Sequence, residues 1–326
     1  MWRVVLRRLL LAAVVVFLVS LITFLLLHLL PGGPARGVLG PEATPQQIEQ
    51  FNHDHGFDQP VHVQYWDYLT RLLRGDLGAS YTLNSPVGTL LAQRLPRTLL
   101  LTVASTLLAI LVALPLGVAQ AVRRNSRFDY LATGLTFVLY ATPVFFLSLL
   151  LIIVFTQLWP VFPAQAAQGE SIGELLSQPR SLVLPVIAGA GATVAAFSRY
   201  ARASVVDNLA EDYVRTARAK GTPERVILWR HVWRNSLTSV VAMLGYYVPV
   251  IFGGALVVES MFNYPGVGLL LWNAARTSDY PVLLGVVLVI AVATVVGSLL
   301  ADLAQLLIDP RVRTAQSSRA KGAGRS

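Results

Sequence analysis

The sequence contains no cysteine and is poor in charged residues. Without cysteine there is no disulfide framework, no thiolate nucleophile and no cysteine-based metal site. Only 13% of the 326 residues are charged and 55% are hydrophobic, a composition that excludes a soluble globular protein. The net charge of +9 does not indicate nucleic-acid binding, because the basic residues stand at the ends of apolar runs instead of on one face. The composition therefore predicts an all-α integral membrane protein whose solvent is the lipid bilayer.

Motifs of the common enzyme sites are also missing. The sequence has no GxxxxGK[ST] phosphate loop, no GxSxG and no HExxH, so we expect no catalytic residue and no bound ATP in this chain. His53 and His55 flank Asp54, but histidines two residues apart do not share a helix face. We therefore predict no metal site and no cofactor in this chain. Among acidic residues near apolar segments, Glu259 and Asp302 stand out, since an intramembrane acid is a functional hypothesis by default.

What the sequence does contain is a series of long apolar runs. A basic head, Trp2–Arg8, precedes a run from Leu9 to Leu30 that is too long for a signal-peptide core, and we interpret it as an uncleaved first span. Five further spans are predicted at about 98–119, 130–158, 182–198, 237–258 and 282–303. Most Lys and Arg residues fall in the segments between spans that this order assigns to the inside, which predicts that both termini are cytoplasmic.

These spans divide the chain into predicted regions. Residues 1–30 hold the cytoplasmic N-terminus and first span, 31–96 an extracytoplasmic cap segment, 97–308 the transmembrane domain, and 309–326 a cytoplasmic tail. Within the cap, Thr44 is predicted to cap a helix that starts at Pro45 and runs to about Asp54. Further external loops are predicted at 160–180 and 259–281.

The longest charged stretch, Glu211–Ser236, lies between spans four and five, within a predicted cytoplasmic loop at 199–236. The first half of this stretch predicts a helix that is capped by Asp212 and ends at Gly221. Thr222 is then predicted to cap a second helix, with Pro223 at its first position. Two short amphipathic helices held between spans form a knob (residues 211–236) suited to contact a partner. The alternative is a basic loop that only sets topology or binds anionic lipid.

Within the knob, Ala217 and Gly221 form an Ala-x-x-x-Gly pattern inside DYVRTARAKG, followed by RHVWRNS. This segment resembles the coupling loop of binding-protein-dependent ABC importer permeases, and most closely that of the dipeptide, oligopeptide and nickel permeases. GDLG at Gly75–Gly78, YPGVG at Tyr264–Gly268 and DPRVR at Asp309–Arg313 are similar to further elements of that family. Two departures are that Arg215 stands where the loop's name-giving Glu would be, and that Thr238-Ser239 replaces the usual proline after the loop.

The resemblance implies a type I ABC importer permease fold with an extra N-terminal span and an external cap. It also implies three kinds of partner: a homologous second permease, two ATPase subunits that bind ATP and Mg²⁺, and an extracytoplasmic substrate-binding protein. The residues carried over to ATPase coupling lie in and beside the loop: Arg215, Thr216, Ala217, Arg218, Lys220, Gly221, Thr222 and Glu224. The implied function is ATP-driven import of dipeptides or oligopeptides across a bacterial cytoplasmic membrane, by a B-type permease subunit that is not itself an enzyme.

Alternatives remain open at this point. A nickel or glutathione importer would share the same motifs, and an ATP-independent secondary carrier would predict inverted repeats and intramembrane charges, neither of which we find. Gly and Pro residues inside the spans predict either close helix packing or hinges that line a pathway. We favour hinges or pathway positions at Pro143, Gly245, Pro249, Gly253 and Gly254.

Overall fold

The computed structural model describes residues 2–29, 33–40, 42–169 and 171–308, and this part of the chain is mostly helical, with no strand in it. The first helices are α1 (Trp2–His28), α2 (Gly33–Leu39), α3 (Pro45–Asp54), α4 (Val61–Leu73) and α5 (Val87–Val122). The middle of the chain forms α6 (Arg127–Ala141), α7 (Val144–Ile152), α8 (Ile172–Ser177), α9 (Arg180–Ala210) and α10 (Asp212–Ala219). The last helices are α11 (Glu224–Val226), α12 (Trp233–Met261), α13 (Val267–Arg276) and α14 (Tyr280–Ile308). Two π-helical segments, Ile153–Leu158 and Ile227–Val232, follow α7 and α11 directly.

Four described helices are long and apolar enough to cross a bilayer: Leu10–His28, Val87–Val122, Arg180–Ala210 and Tyr280–Leu300. Residues Arg127–Ala141 and Val144–Leu158 pass together as a fifth candidate, bent by 103° between them. The helical, multi-span fold is thus confirmed. The count of six spans stays a prediction, since the predicted fifth span lies in α12, where several side chains are outside the described set. The DPRVR motif also lies outside the described residues.

Several predicted boundaries are wrong because helices continue beyond their apolar centres. α5 begins at Val87 instead of near residue 98, and Arg97 and Thr98, about three turns into the helix, are buried. α9 continues to Ala210, so the predicted cytoplasmic loop at 199–236 begins as helix. The predicted external loops at 160–180 and 259–281 hold α8 and α13. Hydropathy marks only the apolar part of a helix, whereas the helix itself ends where its backbone hydrogen bonds end.

The chain forms two compact units, of which unit 1 comprises Met1–Leu100, Pro163–Leu182 and Ala255–Val295. Its core packs α1 and α4 against parts of α5, α13 and α14. Thr44 caps α3 as predicted, and it forms a complete capping box with Gln47. His28 bonds to the Gln64 side chain of α4 at 2.9 Å, so the histidine is satisfied by a neighbouring helix. Among the described residues no group of three metal-ligating side chains occurs, at His53–His55 or elsewhere.

A buried carboxylate holds the turn after the GDLG motif in unit 1. Asp279, only 1% exposed, accepts hydrogen bonds from the hydroxyls of Ser80 (2.5 Å) and Thr82 (2.9 Å). The backbone amides of Tyr81 and Thr82 donate to the same carboxylate at 3.3 Å. Because buried acids are stable only when their oxygens are bonded, these four bonds fix residues 80–82 to the start of α14.

A second buried acid, Glu259, caps α13 within unit 1. Its carboxylate accepts from the Thr98 hydroxyl and the Gly268 amide at 2.6 Å, and from the Leu269 amide at 3.2 Å. The first amides of a helix lack intrahelical partners and favour negative charge, which explains why an acid lies here. A side chain at Gly268 would meet the Leu256 backbone, so glycine permits the close approach. Glu259 therefore has a structural place in the YPGVG turn.

Unit 2 comprises Leu101–Phe162, Val183–Gly254 and Val296–Ser326, and α9 lies at its centre. A Cβ added at Gly189 would lie 2.6 Å from the Ser105 hydroxyl, and one at Gly191 would lie 2.6 Å from Leu147. Close helix packing is thus the role of these two glycines, as in other membrane bundles. Near the inner end of α9, Arg202 donates two hydrogen bonds to Asp129, at 2.8 and 2.7 Å. This bidentate pair neutralises a carboxylate that is 3% exposed.

Candidate ATPase-coupling site

The knob is built on a small apolar cluster in unit 2. Val214, Ile227 and Val232 are fully buried against Val118 of α5 and Val205 of α9. Val214 and the partly buried Ala217 lie three residues apart on α10, and Ile227 and Val232 lie on the π-helical segment, so each half of the knob has one face against the bundle and an opposite face in solvent.

The helix starts in the knob differ by one residue from their predicted positions. Glu211 precedes α10 as its N-cap and Asp212 is its first residue, and no side chain caps the helix. Pro223 is the N-cap of α11, so Thr222 stands one residue too early to cap it. The sequence located each helix start to within one residue, but which residue is the N-cap depends on backbone angles that the residue types do not specify.

Gly221 ends α10 in a left-handed conformation, with φ of +75°. Its amide donates to the Arg218 carbonyl at 2.9 Å, and the next amide, of Thr222, donates to the Ala217 carbonyl at 3.1 Å. These two bonds form a Schellman motif with Gly221 at the C′ position. No atom lies within 4 Å of a Cβ added at Gly221, so the site needs glycine for its backbone angle and not for lack of space.

An ion pair spans this turn. The Arg218 guanidinium donates to both carboxylate oxygens of Glu224, at 2.6 and 3.2 Å. The bonds from Arg218 hold the pKa of Glu224 below its usual range, and the same bonds raise the pKa of Arg218. Both side chains are exposed, at 47% and 66%, so the pair contributes more to the geometry between α10 and α11 than to stability.

The second half of the knob continues directly into a spanning helix. α11 passes through the π-helical segment Ile227–Val232 into α12 without an intervening loop. A π-helical turn is wider than an α-helical turn, because its backbone hydrogen bonds join residues five apart, and such turns often occur at functional sites. A displacement of the knob would therefore act directly on α12.

The predicted coupling residues lie mostly on the solvent side of the knob. Arg215, Thr216, Arg218, Lys220, Gly221 and Glu224 are exposed, whereas Ala217 and Thr222 are partly buried. The Thr216 hydroxyl is used within α10, where it donates to the Asp212 carbonyl at 2.9 Å. Only Arg218 and Glu224 of this set bond to each other through their side chains.

Two apolar side chains that the sequence did not single out share this exposed surface. Trp229 is 52% exposed and packs edge-on against Trp233, and Val226 is 39% exposed. Exposed large apolar residues in a charged segment are typical of contact surfaces. Their spacing of three residues places Val226 and Trp229 on one side of the helix, but it does not show that this side is exposed, because that depends on the burial of Ile227 and Val232.

The hinge candidates fall in three different settings. Pro143 precedes α7 at the 103° bend after α6, which is a complete break and not the gentle kink expected from a proline. Gly253 and Gly254 lie in α12, and among the described residues no atom lies within 4 Å of a Cβ added at either, so contacts within this part of the chain do not explain them. Gly245 and Pro249 are also within α12, but their surroundings are outside the described set. Hinge motion at these positions stays a prediction.

Comparison with known proteins agrees with this architecture. Residues 113–314 match the family described as "Binding-protein-dependent transport system inner membrane component", and residues 1–102 match the N-terminal region of the same kind of component. The oligopeptide transport system permease protein AppB of Bacillus subtilis is 35% identical over 310 residues, covering 94% of this chain and 98% of that protein. The glutathione transport system permease protein GsiC of Salmonella typhimurium is 37% identical over 309 residues, covering 95% and 98%. The chain therefore belongs to the family of inner membrane permease components of binding-protein-dependent ABC transport systems.

Proposed function

We propose that this chain is the permease subunit of an ATP-driven importer of dipeptides or oligopeptides. Both groups of relatives above carry the names of peptide transporters, for oligopeptides and for glutathione, which is itself a tripeptide. The similarity extends over nearly the whole chain, including the cap region. The glutathione and nickel alternatives share the fold and differ in cargo.

The observation that carries the coupling part of the proposal is the construction of the knob. α10 is fixed to the bundle by buried Val214, displays Arg215 and Arg218 outward, and is joined through one turn to a segment continuous with α12. In this proposal, ATP-driven closure of two ATPase subunits moves the knob, and α12 transmits the motion to the pathway. Val226 and Trp229 supply apolar contacts at the same surface.

The remaining parts of the proposal follow from this function. A homologous second permease completes the translocation pathway, and an extracytoplasmic binding protein delivers the cargo beside the cap. ATP and Mg²⁺ bind in the ATPase subunits, because this sequence has no phosphate-binding loop. Both termini and the knob lie in the cytoplasm, in agreement with the excess of basic residues on the inner segments.

Uptake into proteoliposomes tests the function and separates it from its alternatives. The complete complex is reconstituted with ATP inside, and entry of labelled dialanine, trialanine, pentaalanine, glutathione and Ni²⁺ is measured with the binding protein outside. We expect ATP-dependent uptake of unmodified peptides. Uptake of Ni²⁺ or glutathione alone would replace the peptide proposal with the corresponding alternative, and uptake that needs no ATP would exclude an ABC importer.

A further inference from the structure

One cation in the spanning part of unit 2 has no acidic partner among the residues that the structure describes. Arg199 is exposed on α9, and no hydrogen bond or ion pair joins its guanidinium to any residue in the described part of the chain. Arg202, one turn further along the same helix, differs in this respect, since one edge of its guanidinium donates two hydrogen bonds to the Asp129 carboxylate. An arginine in a candidate span is costly unless it faces a polar cavity or a ligand.

The Arg199 guanidinium is nevertheless held in one place by an aromatic ring. Its central carbon lies 4.3 Å from the centroid of the Tyr140 ring, which is a close cation–π contact. On the same helix, Phe197 packs edge-on against Tyr247 of α12. A contact with an aromatic ring does not use a hydrogen-bond acceptor, so the planar guanidinium can still donate a pair of N–H groups to a carboxylate.

The position of Tyr140 connects this cation with a break in a span. Tyr140 stands three residues before Pro143, where the chain bends by 103° between α6 and α7. The break is held against α9 by Leu139 and Leu147, which pack on Gly191. A broken helix at membrane depth is tolerated only where it is buried in protein or lines a water-filled cavity. The first amides of α7 also lack helical partners there, and such helix starts favour negative charge.

A guanidinium that contacts an aromatic ring and has no hydrogen-bond acceptor among the described residues, beside a break that suits a water-filled pathway, matches the chemistry of a carboxylate. We propose that Arg199, positioned by Tyr140, binds the terminal carboxylate of a peptide in transit. This inference rests on the proposed peptide import and names a residue and a substrate group for it. It explains why Arg199 has no acidic partner in the described part of α9 and its surroundings, while Arg202 on the same helix is paired with Asp129.

Direct binding to the complete importer tests the proposal. The complex is placed in nanodiscs of phosphatidylcholine, without ATP or binding protein, and binding of labelled trialanine is compared with that of trialanine amide, which lacks the carboxylate. We expect the Kd of trialanine to be lower than that of trialanine amide by a factor of roughly ten or more. Arg199→Gln should abolish this preference. Arg199→Lys should retain part of it, because an ammonium group supplies the charge but not the planar pair of N–H donors that binds both carboxylate oxygens.

A matched control separates cargo binding from contact with lipid headgroups. Arg123 also stacks on an aromatic ring, 5.4 Å from the centroid of Phe128, but lies beyond the end of α5. Arg123→Gln should leave the preference for trialanine unchanged. If both glutamine variants reduce binding alike, and only in nanodiscs with added phosphatidylglycerol, then Arg199 contacts lipid phosphate and the proposal is wrong.

The remaining outcomes are equally decisive. If the wild-type complex imports trialanine with ATP but binds acid and amide alike, the role of Arg199 is refuted while peptide import stands. If the same preparation imports no peptide at all, the proposed function fails first.

Discussion

Replacing Gly221 gives the sharpest test of how the knob works. Its φ of +75° is costly for any residue with a Cβ, by about 1–2 kcal/mol in the left-handed region, and most of all for a β-branched residue. Within the described part of the chain no atom would clash with a new Cβ, so the effect on this chain's own structure comes from the backbone. Gly221→Val is therefore expected to leave this conformation, and the Schellman bonds from Gly221 and Thr222 would be lost with it. Asparagine tolerates the left-handed region, so Gly221→Asn is the matched control.

A cost of this size changes the population of the native turn about 5- to 30-fold. In the reconstituted importer we expect Gly221→Val to lower peptide-stimulated ATP hydrolysis several-fold, with basal hydrolysis by the ATPase subunits retained. Gly221→Asn should stay close to the wild type. Wild-type stimulation in the valine variant, or equal losses in both variants, would refute the argument that the backbone angle at Gly221 carries coupling.

Four further predictions follow from contacts within each unit. Glu224→Gln removes the charge that Arg218 binds and should reduce coupling without altering protein yield. In the wild type the pKa of Glu224 is lowered, so the ion pair is intact above the ordinary Glu range and is lost only as pH falls through the lowered pKa. ATPase assays of the wild type should therefore show coupling that does not vary with pH near neutrality. Asp279→Asn leaves hydroxyl and amide donors without a charged acceptor and should lower stability by about 2 kcal/mol, measured as a lower melting temperature and faster proteolysis at residues 80–82; an unchanged melting temperature would contradict it. Asp129→Asn leaves Arg202 without its charge partner and should cost about 3 kcal/mol in thermal unfolding, whereas the exposed Asp212→Asn should cost almost nothing. Gly189→Val forces a side chain onto Ser105 and should cost about 1–3 kcal/mol, while Gly88→Val, which meets open space, should cost less than 1 kcal/mol; equal losses would exclude the packing role.

Local signals in the sequence were sufficient for several parts of the fold. Thr44 followed by Pro45 specifies the start of α3, where the structure adds a capping box with Gln47. Gly221 predicts the end of α10 because glycine adopts the left-handed backbone angle at the lowest cost. Hydropathy located the apolar centres of the spans, because lipid exposure demands a continuous apolar surface.

Features that depend on distant residues were not predictable from the sequence. The 103° bend requires Leu139 and Leu147 to pack on Gly191, and nothing near Pro143 specifies that angle. The Asp129–Arg202 pair joins residues 73 positions apart, and Asp279 bonds to Ser80 across 199 positions. In the candidate site, the exposure of Val226 and Trp229 depended on which face the buried cluster of the knob would use.

Cross-linking from the knob tests the central claim most directly. Because the chain has no cysteine, a single cysteine introduced at the exposed Ala219 of α10, or at the exposed Glu49 of α3, can carry a photoreactive benzophenone. The account predicts that Ala219→Cys cross-links to an ATPase subunit and is labelled only from the cytoplasmic side, whereas Glu49→Cys is labelled from outside and does not reach the ATPase. An Ala219→Cys variant that is labelled from outside, or that never reaches an ATPase subunit in an active complex, would contradict the coupling role of the knob.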